Sequence, residues 1–147
     1  MTHVESTYRL TREGAVAIMA AAVAKVSELG VPMSVAIVDA GCNLVLFTRT
    51  DGGKPHTIGI AQAKARAAAS NRLPTAKIGS TGNDLSDFAA LAITLAAGPD
   101  RYAAFGGGLP IMVDGHCLGG IGVSGGTGEQ DVEVAKSGIA ALRTAPR

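Results

Sequence analysis

The sequence predicts an α+β domain in which antiparallel β-hairpins carry helices, in the order α–ββ–α–α–ββ–α. Three observations predict this class. Two pairs of short, alternating, apolar segments are each joined by a tight turn, four other segments keep a helical pattern, and Gly or Pro separates the elements. The chain has 147 residues, the length of one domain, and no repeat or linker divides residues 1–147. We therefore expect a single domain.

The N-terminal third is predicted to form one helix and one hairpin. Thr11 can cap a helix in which apolar residues recur at helical spacing between 16 and 26, and Gly30 ends it. Segments 33–40 and 43–50 then alternate between apolar and other residues. They predict the first hairpin.

Two helices are predicted in the middle of the chain. An alanine-rich helix spans residues 58–72 and ends before Pro74. After a polar loop, Asn83 or Asp84 can cap a second helix over 85–97.

The last part predicts a second hairpin followed by a helix. An Asp-Gly pair, a strong turn signal, joins strands 109–114 and 116–125. Thr127 and Gln130 have the spacing of a capping box, which starts a helix over 129–143.

Composition excludes several classes of protein. A net charge of +1 argues against nonspecific nucleic-acid binding, which needs a basic stripe, and 3% aromatic residues argue against a base-stacking surface. Hydrophobic residues make up 47% of the chain and charged residues 17%, so that disorder is excluded.

The sequence also predicts the cellular location of the protein. No stretch is long and apolar enough to cross a membrane, and the N-terminus lacks the apolar run of a signal peptide. Cys42 and Cys117 are too few for a disulfide scaffold and are not in a CxxC pair. We expect a soluble, cytoplasmic protein.

Glycines mark the first candidate site. Residues 120–125 match GxGxxG, but a dinucleotide site needs a parallel βαβ unit, and this hairpin is antiparallel. Gly125, Gly126 and Gly128 instead leave backbone N–H groups at the start of the last helix, where they can hold an anion; the alternative is a strained turn.

A second glycine cluster, Gly106–Gly108, precedes the strand 109–114. If that strand pairs with 116–124, both clusters border one cavity; the alternative is a flexible loop. Lys64 supplies a cation if it faces this cleft, and otherwise it points to solvent.

Single polar residues add weaker candidates. Glu129 and Asp131 either favour the helix dipole or reach into a pocket as a base or a ligand-positioning group. Asp39 either caps a turn or moves protons. His3, His56 and His116 are too scattered for a zinc site, and we predict no metal site of side chains alone, although each can be an axial haem ligand. Cys117 follows His116 on a strand, so their side chains are expected on opposite faces.

Three stretches resemble a known family. They are LTREGAVAIMAAAVAKVSELGVPMSVAIVDAGCNLVLFTRTDGG, AQAKARAAA and LPIMVDGHCLGGIGVSGGTGEQDVEVAKSGIAAL. Together they resemble the GlcG/HbpS family, the haem-degrading domain family, which includes the C-terminal domain of PduO. The resemblance implies a profilin-like antiparallel sheet flanked by helices, assembly into homo-oligomers, and in some members the binding of haem or a corrinoid.

The leading hypothesis is therefore an oligomer that binds haem or a related tetrapyrrole, linked to haem degradation or redox sensing. The candidate ligand-binding residues form one set; its members are Lys64, Gly106, Gly107, His116, Ser124, Gly125, Gly126 and Thr127. Lys64 and the N–H groups at 124–127 would meet the propionates, and His56, His116 or Cys117 would approach the iron.

Two other functions fit the same residues. The first is a metal-independent isomerase, tautomerase or lyase for a small carboxylated or phenolic metabolite. Glu129, Asp39 and His56 would move its protons, and the glycine loop would hold an oxyanion. The second is an accessory protein that carries no chemistry and organises an enzyme complex through its helices.

Overall fold

The structure is a computed structural model that describes residues 1–144. It confirms the α+β class and the predicted order of elements. The helices are α1 (Arg12–Leu29), α2 (His56–Asn71), α3 (Asp87–Ala97) and α4 (Gly128–Ile139); the strands are β1 (Ser34–Asp39), β2 (Leu44–Arg49), β3 (Gly108–Val113) and β4 (His116–Ser124). The four strands form one sheet in the order β2-β1-β4-β3, with every neighbouring pair antiparallel.

Helices cover both faces of this sheet. Alternate residues of β1 point to opposite sides, so that Val35 and Ile37 belong to a core with α1 and α4, whereas Ala36 and Val38 pack against α2. The α2 face is narrow because its side chains are mostly alanine. A thin layer of this kind lets the helix lie close to the strands.

Two glycines of β4 make this close approach possible. A Cβ at Gly122 would overlap Ala61 O, and a Cβ at Gly120 would overlap Ala65 O, both on the α2 backbone. The literal GxGxxG match therefore contains glycines that are needed for helix–sheet packing, and no dinucleotide site is required to explain them.

Most predicted element ends are confirmed. The Thr11 side chain accepts a hydrogen bond from Gly14 N at 3.0 Å, and Gly30 adopts a left-handed φ of 69° after α1. At α4 the Thr127 side chain accepts from Gln130 N and the Gln130 side chain accepts from Thr127 N, which completes the predicted capping box.

Three helix boundaries were predicted wrongly. α2 begins at His56, two residues before 58, and α4 ends at Ile139, not at 143. α3 begins at Asp87 with Ser86 as its N-cap, because residues 78 and 84 form an isolated β-bridge that keeps Asn83 and Asp84 out of the helix.

The third helix is peripheral to the packed layers. Only Ala90 of α3 is buried, whereas Phe88, Leu91 and Leu95 are 82%, 59% and 67% exposed. Within residues 1–144, none of the helices combines the length and the apolar character needed to cross a membrane.

Candidate functional site

The sheet separates the candidate residues into two groups, at opposite ends of β1 and β4. Ser34 and Ser124 pair at one end, which we call the glycine end, and Asp39 and Gly119 pair toward the other, which we call the thiol end. His116, the first residue of β4, lies about 26 Å along the strand from Ser124.

At the glycine end, Lys64 is buried under the sheet. Its Nζ donates to Asp131 Oδ2 at 2.9 Å and to Val123 O at 2.7 Å, and the two charged side chains are 3% and 4% exposed. The same Nζ lies 5.3 Å from the centre of the Phe105 ring. Lys64 is therefore not the free cation that a side chain facing an open cleft would supply.

Asp131, predicted to serve the helix dipole or to reach into a pocket, is the buried partner of Lys64. Burial raises the pKa of its carboxyl group, and the hydrogen bonds from Lys64 and from Gly126 N partly offset that rise. Gly126 N donates to Asp131 Oδ1 at 2.9 Å, and Thr127 N donates to Gln130 Oε1 at 2.9 Å. Two N–H groups expected to hold an external anion thus already bind side chains of the chain itself.

The two glycine clusters meet beside α4. Gly106 and Gly128 both line an open groove of about 650 Å³, as expected from the pairing of β3 with β4. Glu129 also lines it. Gly107 has a different role, since a Cβ there would lie 2.6 Å from Lys64 Nζ, so that its missing side chain leaves room for the buried ammonium.

His56 belongs to the glycine end as well. It is the exposed first residue of α2, and the neighbouring Thr57 Oγ1 lies 2.8 Å from Ser34 Oγ, below the pairing of Ser34 with Ser124. Because α2 has 16 residues and is about 24 Å long, His56 is far from the end of the helix where His116 lies.

At the thiol end, both cysteines border one cavity. This thiol cavity has a volume of about 560 Å³; its lining includes Cys42, Arg72, His116 and Cys117. Cys42 Sγ lies 3.6 Å from Arg66 O, and Cys117 Sγ lies 3.5 Å from Ala69 O.

The Cys42 thiol is partly buried at the edge of this cavity. Burial raises the pKa of the Cys42 thiol, the nearby Asp39 and Cys117 add to the rise, and Arg101 and Arg66 oppose it.

His116 and Cys117 were expected on opposite faces of the strand; both nevertheless line this cavity, which opens at the first residues of β4. In the described part of the chain, side chains alone form no cluster of three or more metal-binding residues.

A second cavity adjoins the imidazole of His116. The Tyr8 ring meets the His116 ring edge to face, with centroids 4.7 Å apart, and Tyr8 also lines a largely apolar cavity of about 570 Å³. Arg9 and Arg143 line that cavity with Leu118 and Leu142. No periodic pattern marks this N-terminal segment, so sequence reasoning missed Tyr8 and Arg9.

Asp39 caps a turn, which was one of the two roles predicted for it. Its Oδ1 accepts from Gly41 N at 3.0 Å and from Asn43 N at 2.9 Å, in the turn between β1 and β2. It lies at the opposite end of β1 from the glycine loop, about 17 Å along the strand. Asp39 and Glu129 therefore do not converge on one reacting group.

The same separation divides the predicted tetrapyrrole site. His116 and the 124–127 loop of one chain lie about 26 Å apart along β4, much farther than a propionate lies from the iron of its own haem, so one haem cannot contact both. His116 and Cys117 come together at the thiol end, whereas His56, Lys64 and the glycine loops belong to the other end. The ligand-binding roles of all these residues stay predictions.

Most of the chain is similar in sequence to known proteins. The family described as haem degrading protein HbpS-like matches residues 10–140. The chain belongs to this HbpS-like family. Protein GlcG of Escherichia coli K12 is 35% identical over 115 residues, which span 78% of this chain and 81% of GlcG.

Solved structures of the family have the same fold. Klebsiella pneumoniae protein ORFY superposes with a TM-score of 0.83 at 29% identity, over 96% of this chain and 95% of that one. The complex of PduOC with heme superposes with a TM-score of 0.78 at 28% identity, over 92% and 96% of the two chains.

Proposed function

We propose that this protein binds haem or a related tetrapyrrole at the thiol end. The observation that carries the proposal is the thiol cavity, where His116, Cys117 and Cys42 border one space. Imidazole and thiolate are the usual axial ligands of haem iron. The similarity to PduOC, solved with heme, supports the same ligand class.

The residues present fit such a ligand. His116 is exposed at the cavity, so that its imidazole can be reached, and it is our choice of axial ligand. Arg72 on the same wall supplies a guanidinium for a propionate, a pairing that arginine geometry favours. When bound, a haem iron supplies redox chemistry, and this would serve haem degradation or redox sensing.

The proposal can be tested by titrating the reduced, purified protein with haemin and following the Soret band. We expect a saturable shift with one haem per chain. His116→Ala should weaken binding by about tenfold or more or change the spectrum, since it removes the axial ligand. His56→Ala is the matched control, because it removes an exposed histidine from the opposite end of α2.

Two results would contradict this assignment. Featureless, non-saturating absorbance with the wild-type protein would show that it does not bind haem. Loss of binding in His56→Ala, with His116→Ala unchanged, would move the site to the glycine end.

We also propose that the protein forms a homo-oligomer through α3. The exposed side chains of Phe88, Leu91 and Leu95 recur at helical spacing along one side of the helix. A continuous apolar stripe of this kind is typical of a protein–protein contact. A second copy of the chain presents an equal stripe, which makes a self-complementary contact possible.

A further inference from the structure

We propose that Cys42 and Cys117 form a reversible disulfide within the chain, which ties the β1–β2 turn to the first residues of β4. The proposal does not depend on tetrapyrrole binding. The two thiols form this cross-link when they react with a disulfide oxidant.

The positions of the two sulfurs are the first support. Cys42 Sγ contacts Arg66 O and Cys117 Sγ contacts Ala69 O, two carbonyl groups that lie three residues apart on α2. Three residues rise about 4.5 Å along a helix, so both thiols lie over the same turn. Both side chains are half-buried and border the thiol cavity, which gives a small oxidant access.

The backbone at Cys42 is the second support. Cys42 has a φ of 65°, in the left-handed region that favours glycine. A side chain kept in a strained backbone position often has a functional reason. Cys42 also lies in the turn that joins β1 to β2, where its N–H donates to Asp39 O at 3.0 Å. The cross-link would hold its Cα at the roughly 4.4–6.8 Å from the Cα of Cys117 that a disulfide needs.

The chemistry needs one external disulfide as the oxidant. The thiolate of one cysteine attacks a sulfur of the reagent, forms a mixed disulfide and releases one reagent thiolate. The other cysteine, as thiolate, then attacks the protein sulfur of that mixed disulfide and releases the second reagent thiolate. Two cysteine thiols lose two electrons and two protons, and the reagent takes them up as two thiols.

The test treats the reduced chain of 147 residues with excess oxidised glutathione and then alkylates the remaining thiols. Under denaturing conditions we expect single chains with no covalent link to a second copy, each lighter by two hydrogen atoms and without bound alkylating reagent. Proteolysis should yield one peptide pair joined through Cys42 and Cys117. Dithiothreitol should restore both free thiols.

Single variants serve as controls. Cys42→Ser and Cys117→Ser should instead keep one bound glutathione, because no second thiol displaces it. Cys42→Gly should also lose the cross-link, and since glycine suits the positive φ, this variant should fold normally by circular dichroism. Two glutathiones per wild-type chain, or a disulfide only between chains, would overturn the proposal.

Discussion

At the residue scale, the buried pair of Lys64 and Asp131 connects α2 to α4 beneath β4. Its two charges are 3% and 4% exposed, and Gly126 N adds a hydrogen bond to the carboxylate. Removing charges from water is costly, so such a pair stabilises the fold little compared with apolar residues. Breaking it is different, because one charge is then left buried without a partner.

Lys64→Met should destabilise the protein by about 3–5 kcal/mol. Methionine keeps much of the volume of lysine but removes the ammonium, which leaves the Asp131 carboxylate with only the hydrogen bond from Gly126 N. Urea unfolding followed by circular dichroism measures the loss.

The double variant Lys64→Met with Asp131→Leu is the matched control. It removes both charges, so it should be more stable than the single variant. Both variants lack the bond from Lys64 Nζ to Val123 O, and in the double variant the Gly126 N–H also loses its acceptor, which costs about 1–3 kcal/mol. A single variant as stable as the wild type would show that the buried pair does not form in solution.

At the scale of elements, the contact between α2 and β4 depends on residues that have no side chain. Gly120 and Gly122 face α2, and the alanines of the helix complete a layer only a few atoms thick. The path of α2 in turn lets the Lys64 side chain reach Val123 O and Asp131 at the glycine end. The carbonyl groups of Arg66 and Ala69 lie against the two thiols. Side-chain volume in this layer therefore controls the geometry of both ends.

Gly122→Ala should destabilise the protein by about 3 kcal/mol, the upper end of the cost of overpacking. The added methyl group would overlap the α2 backbone, and the helix would have to move away from the sheet. Thermal and urea unfolding test this.

Gly59→Ala provides the control on the same helix. A Cβ at Gly59 meets nothing within 4 Å, and alanine favours helix, so this variant should gain about 0.5–1 kcal/mol. Equal stability of the two variants would mean that α2 does not lie as close to β4 as described.

Local signals explain why the elements themselves could be predicted. Thr11, Gly30 and the Thr127–Gln130 capping box each act within four residues, so the sequence around them is sufficient. The start of α3 was missed because Asn83, Asp84 and Ser86 are all good N-caps. A bridge between residues 78 and 84 decides among them, and no local pattern predicts that bridge.

The site was harder to predict because its contacts connect distant parts of the chain. Lys64 meets Asp131 across 67 residues, and nothing in the alanine-rich sequence around Lys64 indicates a buried acidic partner. Cys42 and Cys117 come to one cavity only through the pairing of β1 with β4. His116 was a candidate from its chemistry alone, while the structure supplied its neighbours.

At the scale of the whole molecule, the sheet and its two cores leave α3 outside. In the single chain, Phe88, Leu91 and Leu95 of this helix are exposed to solvent. Asp87 in its first turn forms an exposed ion pair with Lys77 at 2.6 Å, and such a pair contributes little to stability. A contiguous exposed apolar patch is a mark of a protein–protein contact. We therefore expect that the isolated chain is not the state in solution.

Light scattering after size-exclusion chromatography should show a multiple of the 14.7 kDa chain mass. The double substitution Leu91→Asp with Leu95→Asp should give a folded monomer, because it places carboxylates in a contact that depends on apolar burial and exposes no new core. Leu44→Asp is the matched control, since Leu44 is an exposed leucine on the edge strand β2, and it should leave the oligomer intact. A monomeric wild type would contradict the proposed assembly. Dissociation by Leu44→Asp alone would place the contact at the β2 edge, where a strand has unpaired backbone groups that can join a second sheet.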